Sequence, residues 1–373
     1  MRYFVPFILC LAFMSTRADE PVVFVSAFQA GDEGAIHAYR FDAKTGQLNL
    51  AHRTTDVEYP FFLAVSADGR FLYAIDSGQF GGTDDEFVAS YAVQGRTGKL
   101  TKLNRRSARG GASCYLDVDV TGKTVVVANY SSGSVAALPV EDDGSLGEAT
   151  SFVQHGRSGA DSNSQKVPKA HSIVVSPDNR FVLAADLGID KILVYRLNSA
   201  SSELAVNDAQ PFATLPPGSG PRHLTFHPNG NRVYVINETR NTVTFFDYAA
   251  DSGTLTQRQT ISTLPEDFSG TSHTADLKIT SDGRFLYGTN RGHDSIAIYR
   301  IADDGRLCLV GIEPSLGKGP QNLLITPDDR WLLCANMPDN NVAVFAIDSE
   351  TGGLTGHGDP VSIPMPSCIR WLN

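Results

Sequence analysis

Four ionisable side chains, His171, Arg222, Glu238 and Arg291, interrupt or border apolar runs in this 373-residue chain. Two guanidinium groups can grip an anion, or an oxyanion as it forms. A carboxylate and an imidazole can pass a proton to or from a reacting oxygen, and the imidazole is suited to either direction near neutral pH. No Ser or Cys nucleophile signature and no metal-ligand spacing accompanies them, so water is the simplest attacking group and neither a metal nor a cofactor is expected. Charges at four unrelated surface positions would be the bland reading. Complementary types at equivalent registers of a repeat point instead to one site.

The repeat is what gives those registers meaning. A pattern of Ser/Thr-Pro/Ala-Asp-Gly/Asn-Arg, four or five apolar residues and then Asp or Asn occurs as SADGRFLYAID (66–76), SPDNRFVLAAD (176–186), HPNGNRVYVIN (227–237), TSDGRFLYGTN (280–290) and TPDDRWLLCAN (326–336). DVTGKTVVVAN (119–129) is a weaker copy. The turn residues Gly69, Gly122, Asn179, Gly230, Gly283 and Asp329 stand 53, 57, 51, 53 and 46 residues apart, the spacing of propeller blades. In the fifth unit, strands are expected at 224–226, 233–236, 242–246 and, more weakly, 258–261, with turn chemistry between them. Four antiparallel strands per unit make a blade, and runs such as FVLAA are apolar on both faces because each blade packs between two others. No stretch has useful helical periodicity.

Six copies leave the ends over. Residues 22–28 and 35–41 read as the second and third strands of a blade lacking its first, and 367–372 reads as a first strand lacking its blade. The all-β chain is therefore expected to be a seven-bladed β-propeller, closed by the C-terminal strand completing blade 1, which removes exposed edges. It forms one domain, 19–373.

Strand one starts, and strand two ends, on the same face of the disc near the axis, where propeller ligands are expected. The start of strand one carries Phe61, Cys114, His171, Arg222, Ala275 and Gln321, followed by Phe62, Tyr115, Ser172, His223, Asp276 and Asn322. Strand two ends in Asp76, Asn129, Asp186, Asn237, Asn290 and Asn336, followed by Ser77, Tyr130, Leu187, Glu238, Arg291 and Met337. The Asp or Asn in every blade reads as architecture, capping a turn; a ring of such groups around a metal is the sharper alternative. His171, Arg222, Glu238 and Arg291 fall on one face in blades 4 to 6 and are the expected catalytic set. His223, His273, Gln321, Asp186 and Asn129 are the expected substrate contacts. His227 reads as structural, and His37, His52, His155, His293 and His357 as solvent-facing. The polar, Gly/Ser-rich loop 155–170 can cover a pocket or serve as a plain surface connection.

Residues 1–18, with Arg2, an apolar stretch at 3–14 and Thr-Arg-Ala before Asp19, read as a secretory leader too short to span a bilayer. Export, to a periplasm or beyond the cell, is the expectation, with no membrane span after cleavage. Losing Arg2 and Arg17 takes the formal charge from −10 to −12. Such a surface repels nucleic acid and anionic lipid, so a small molecule is the expected partner. Cys114, Cys308, Cys334 and Cys368 fit no disulfide framework and read as buried free thiols.

KAHSIVVSPDNRFVLAADLGIDKILVYRL, GSGPRHLTFHPNGNRVYVINETRNTVTFF and HTADLKITSDGRFLYGTNRGHDSIAIYRI resemble the seven-bladed lactonase family, which includes the propeller-type 6-phosphogluconolactonases and the carboxy-cis,cis-muconate cyclases. The likeness spans 21–373. The family's site residues fall here on the His of AHS (His171), the Arg of GPRH (Arg222), the Glu of NE (Glu238) and the Arg of TNRG (Arg291). The resemblance implies hydrolysis of a sugar lactone. On that reading Arg222 and Arg291 stabilise the oxyanion or grip an anionic substrate group, Glu238 acts as general base on water and His171 as acid to the leaving oxygen. A lactonising cycloisomerase and a non-catalytic ligand-binding propeller remain the alternatives.

Overall fold

A computed structural model describes residues 20–78, 81–82, 84–156 and 167–372. The leader and most of loop 155–170 lie outside them.

Seven sheets stand around one axis. Blade 1 joins both ends of the chain: Pro366–Trp371 lies innermost, then Val22–Ala27, Ala35–Asp42 and Gln47–Thr54. Blades 2 to 7 follow in chain order, their innermost strands being Leu63–Val65, Ser113–Val118, Ala170–Val175, Pro221–Phe226, His273–Ile279 and Pro320–Ile325. Each outward step is an antiparallel neighbour, and blades 4 and 7 split the outermost position between two short strands. The closure expected from the chain ends is therefore present. No helix among the described residues is long and apolar enough to cross a membrane.

The apolar cores lie between blades. Phe181, Leu183 and Val194 of blade 4 meet Val233, Val235 and Phe246 of blade 5. Tyr234, Ile236 and Phe245 of blade 5 meet Leu286, Ala297 and Tyr299 of blade 6. Burying each large side chain contributes roughly 1.5–3 kcal/mol, so adjacent blades stabilise each other pairwise around the ring.

Polar contacts recur with the repeat. On one face of the disc, Ser66, Ser176, Thr280 and Thr326 donate to Asp68, Asp178, Asp282 and Asp328 within the strand one to strand two turn, each at 2.6 Å. Tyr73, Tyr234 and Tyr287 reach the next blade, donating to the carbonyls of Gly144, Gly305 and Gly352. On the other face the Asx at the end of strand two does the stapling. Asn129, Asn290 and Asn336 donate to the carbonyls of Ala108, Thr263 and Ser315, where the chain passes between blades. Each also donates to the first residue of strand three: Ser134, Ser295 and Asn341. Glycine is required where the connection crosses this side chain: a Cβ at Gly110 or Gly317 would sit 2.6 Å from the amide nitrogen of Asn129 or Asn336.

Three expectations need correcting. His37 and His155 are buried, not solvent-facing. Arg53 donates to His37 at 2.9 Å, and His155 Nδ1 meets Asp186 at 2.6 Å, so each ring has found a polar partner inside. Cys114, Cys334 and Cys368 are buried free thiols, but Cys308 is exposed on the outer strand Leu307–Pro314.

Candidate active site

The first residue of chemistry in each innermost strand is carried by an irregularity. In blades 1, 3, 4, 5, 6 and 7 the register between strands one and two shifts at the mouth end. The extra residue is Cys114, His171, Arg222, Gln321 and Ser367 in blades 3, 4, 5, 7 and 1. In blade 6 the shift takes in Ala275 and Asp276. A bulge releases one residue from the ladder and re-aims its side chain. Here it turns successive residues, such as Arg222 and His223, both toward the axis.

Glu238 holds two arginines with one oxygen. Its Oε2 lies 2.9 Å from Arg222 Nε and 2.9 Å from Arg291 Nη2. Arg222 is fully buried, and an ion so placed must be paired. Its Nη1 donates to the Ala275 carbonyl and to His223 Nε2 at 3.1 Å. Its Nε, although close to Glu238, has no acceptor aligned with the N–H. Burial first, and then Arg291, bring the Arg222 pKa down to about 10, so it stays a cation at neutral pH. Arg291, partly exposed, donates to the carbonyls of His273 and Thr274 at 3.3 and 3.1 Å and to Gln321 Oε1 at 3.3 Å.

His171 is buried beside this cluster. Its Nδ1 is 3.7 Å from Cys114 Sγ, and its ring meets those of Tyr130 and His223 edge-on at 5.3 and 5.6 Å. Burial, followed by the charge of Arg222, holds its pKa well below the ordinary value. The ring is thus neutral at physiological pH and has no imidazolium proton to give at the outset.

Below the cluster the axis is filled. His223 packs edge-on against Tyr115 at 5.0 Å and Phe62 at 5.8 Å, reaching across from blade 5 to blades 3 and 2. These rings floor the mouth. To one side a groove of about 510 Å³ opens between blades 4 and 5, lined by Val167, Lys169, Leu187, Gly188, Asp190, Gly218 and Thr239.

The structure brings His171, Arg222, Glu238, Arg291 and Gln321 together. Four other expected substrate contacts lie differently. Asp186 is buried, binding His155 and the backbone N–H groups of Lys169, Gly188 and Ile189. Asn129 is occupied by Ala108, Ser134 and Ser113. Both do architectural work, as the recurrence of Asx there in six of the seven blades implied. His223 has both nitrogens engaged, and His273 is exposed and reaches the cluster through its carbonyl. Asp276 was missed: it supports His223 from the next blade, and only its place beside Ala275 in the repeat register hinted at it. Among the described residues no group of three His, Cys, Asp or Glu side chains is arranged to hold a metal.

The description of the seven-bladed β-propeller lactonases matches residues 22–371, through every blade and the closing strand. The chain belongs to that family. This lactonase is 33% identical to the 6-phosphogluconolactonase of Bacillus subtilis over 353 residues, covering 94% of this chain and 98% of that one. It is 32% identical to the 6-phosphogluconolactonase of Formosa agariphila, over 89% and 94% of the two chains. Its fold superposes on the periplasmic gluconolactonase of Pseudomonas aeruginosa with a TM-score of 0.86 at 30% identity, over 95% of this chain and 99% of that one. The lactonase is thus similar along its whole propeller to enzymes that open lactone rings.

Proposed function

We propose that this lactonase hydrolyses a gluconolactone-type sugar lactone by direct attack of water at the mouth formed by blades 4 to 6. The observation that carries the reading is the Arg222–Glu238–Arg291 cluster beside a histidine kept neutral by burial. His171 accepts a proton from water as its oxygen bonds to the lactone carbonyl carbon. The carbonyl π electrons move to oxygen, and the guanidinium edge of Arg222, with Arg291, meets the oxyanion. When the carbonyl re-forms, the carbon–ring-oxygen bond breaks, and His171 returns its proton to the leaving oxygen. The product is the open hydroxy acid. Glu238 keeps the two guanidiniums side by side. Moving a proton onto it would leave two neighbouring cations unpaired, so the base role expected of it passes to His171.

Names of relatives support both a phosphorylated and a plain gluconolactone. We infer export from the sequence of residues 1–18, and the periplasmic placing named for the Pseudomonas protein supports it. Outside the cytoplasm, the unphosphorylated lactone is the favoured substrate. Initial rates of base uptake on both lactones test this, with Arg222→Ala and Glu238→Gln alongside. A rate above spontaneous opening, reduced about 10²–10³-fold in both variants, is expected. An unchanged Glu238→Gln rate would remove the cluster from the mechanism. No rate on either lactone would favour the cycloisomerase or ligand-binding alternatives.

A further inference from the structure

A guanidinium is planar, and where its plane lies in a site is not set by its charge. At Arg222 it is set from behind. Both hydrogens of Nη1 have acceptors: the Ala275 carbonyl and His223 Nε2. His223 can accept there only if its proton is on Nδ1, and Nδ1 meets Asp276 Oδ1 at 2.8 Å. Asp276 is in turn fixed through Oδ2, which receives Lys278 Nζ at 2.7 Å, Asn322 Nδ2 at 2.7 Å and the Leu323 N–H at 2.9 Å. The chain of contacts runs Lys278–Asp276–His223–Arg222–Glu238–Arg291 and crosses blades 5 and 6, braced by blade 7. The ring of His223 faces Phe62, Tyr115, His171, Arg222 and Asp276, and of these only Asp276 is an anion.

We propose that the buried His223–Asp276 pair is the positioning device of this site: it engages the Nη1 side of Arg222 and, with Glu238 Oε2 2.9 Å from Nε, fixes the plane in which the guanidinium serves the oxyanion. His223 and Asp276 are positioning residues; neither touches substrate. The inference deepens the lactone-hydrolysis reading and rests on it for its kinetic consequence, but its geometric content stands apart. Every part of it is neutral or internally paired. Burial, then Arg222, lowers the His223 pKa to about 3, while at Asp276 the opposing pull of burial is outweighed by Lys278 and His223, leaving a carboxylate.

Two measurements test it. The first is nitrogen NMR of the unaltered protein between pH 6 and 8. The expected result is a neutral His223 with hydrogen on Nδ1 and a bare Nε2, together with a slowly exchanging Arg222 Nε–H signal. Hydrogen on Nε2, or an imidazolium, would overturn the proposal whether or not any lactone is turned over. The second compares His223→Leu, which removes the acceptor, with His223→Gln, which retains one within reach of Nη1. On the lactone that the parent opens, His223→Leu should lower kcat about 10²-fold with KM within threefold, and His223→Gln should recover about tenfold of that loss. Equal loss in both variants, loss confined to KM, or a His223→Leu kcat within threefold of the parent would refute positioning. If His223→Leu does not fold, His223→Gln and the NMR result decide: a kcat within tenfold of the parent supports the device, and a full 10²-fold loss counts against it. If the parent opens no lactone, the functional reading fails and the NMR result alone judges the device.

Discussion

His171 is neutral because it is buried and because Arg222 is beside it, and that has a cost in acid. The unfolded chain takes up a proton at this histidine as pH falls below about 6.5, and the folded protein does not until its lowered pKa is reached. The unfolded state therefore binds more protons in that window. Stability from this residue is full above pH 6.5 and declines by roughly 1.4 kcal/mol per pH unit below it. Glu86 and Asp117, whose pKa values burial raises to about 7 and about 6, act in the opposite sense. The clean measurement is thus a difference, because those carboxyls are common to both proteins. Denaturant melts of the parent and of His171→Gln should show the variant gaining on the parent by about 1.4 kcal/mol per unit from pH 6.5 to 5. A pH-independent difference would mean that the folded protein protonates His171 normally. In the same range kcat/KM of the parent should show no inflection at 6.5.

At the scale of strands, two devices do separate jobs. The bulge aims a side chain at the mouth, and the Asx at the end of strand two anchors the frame. Asn237 and Asn336 occupy the same register, but Asn237 precedes Glu238, whereas Asn336 precedes Met337. Asn237 donates to Thr242 and Thr244, and Asn336 to Ser315 and Asn341. Replacing either by Ala removes two buried hydrogen bonds and should cost about 2–3 kcal/mol in melts. Only Asn237→Ala should also lower kcat, by freeing the residue that holds both arginines; Asn336→Ala should stay within about twofold at 25 °C. The frame was legible in the sequence because each turn cluster and each apolar, β-branched run is a local signal. Arg222 and Glu238 were legible because a charge in an apolar run is conspicuous. The bulges were not, since they depend on how two strands pair. The burial of His155 was hidden for a related reason: its partner Asp186 is 31 residues away and carries the same signature as every other blade's Asx.

For the molecule as a whole, the weak point of a ring is its seam, because the closing strand comes from the far end of the chain. Val22–Ala27 pairs with Pro366–Trp371, and nothing covalent joins them. The seam also reaches the site. The Ile369 N–H donates to Asn322 Oδ1 at 2.8 Å, and Asn322 donates to Asp276, the support of His223. Opening the ring would therefore loosen Arg222 at a distance. At the seam, Ser26 Oγ and Ser367 Oγ are hydrogen-bonded at 2.9 Å, so the two side chains already touch. Ser26→Cys together with Ser367→Cys places two thiols where a disulfide needs only a small adjustment. Because the bond closes a loop of nearly the whole chain, the entropy removed from the unfolded state corresponds to a stabilisation on the order of 5 kcal/mol, less any strain. The oxidised double variant should melt several degrees above its own reduced form and unfold more slowly. If the oxidised form unfolds no more slowly than the reduced form, the ring does not open first at the seam, and the pairwise cores between blades, rather than the closing strand, set its resistance to unfolding.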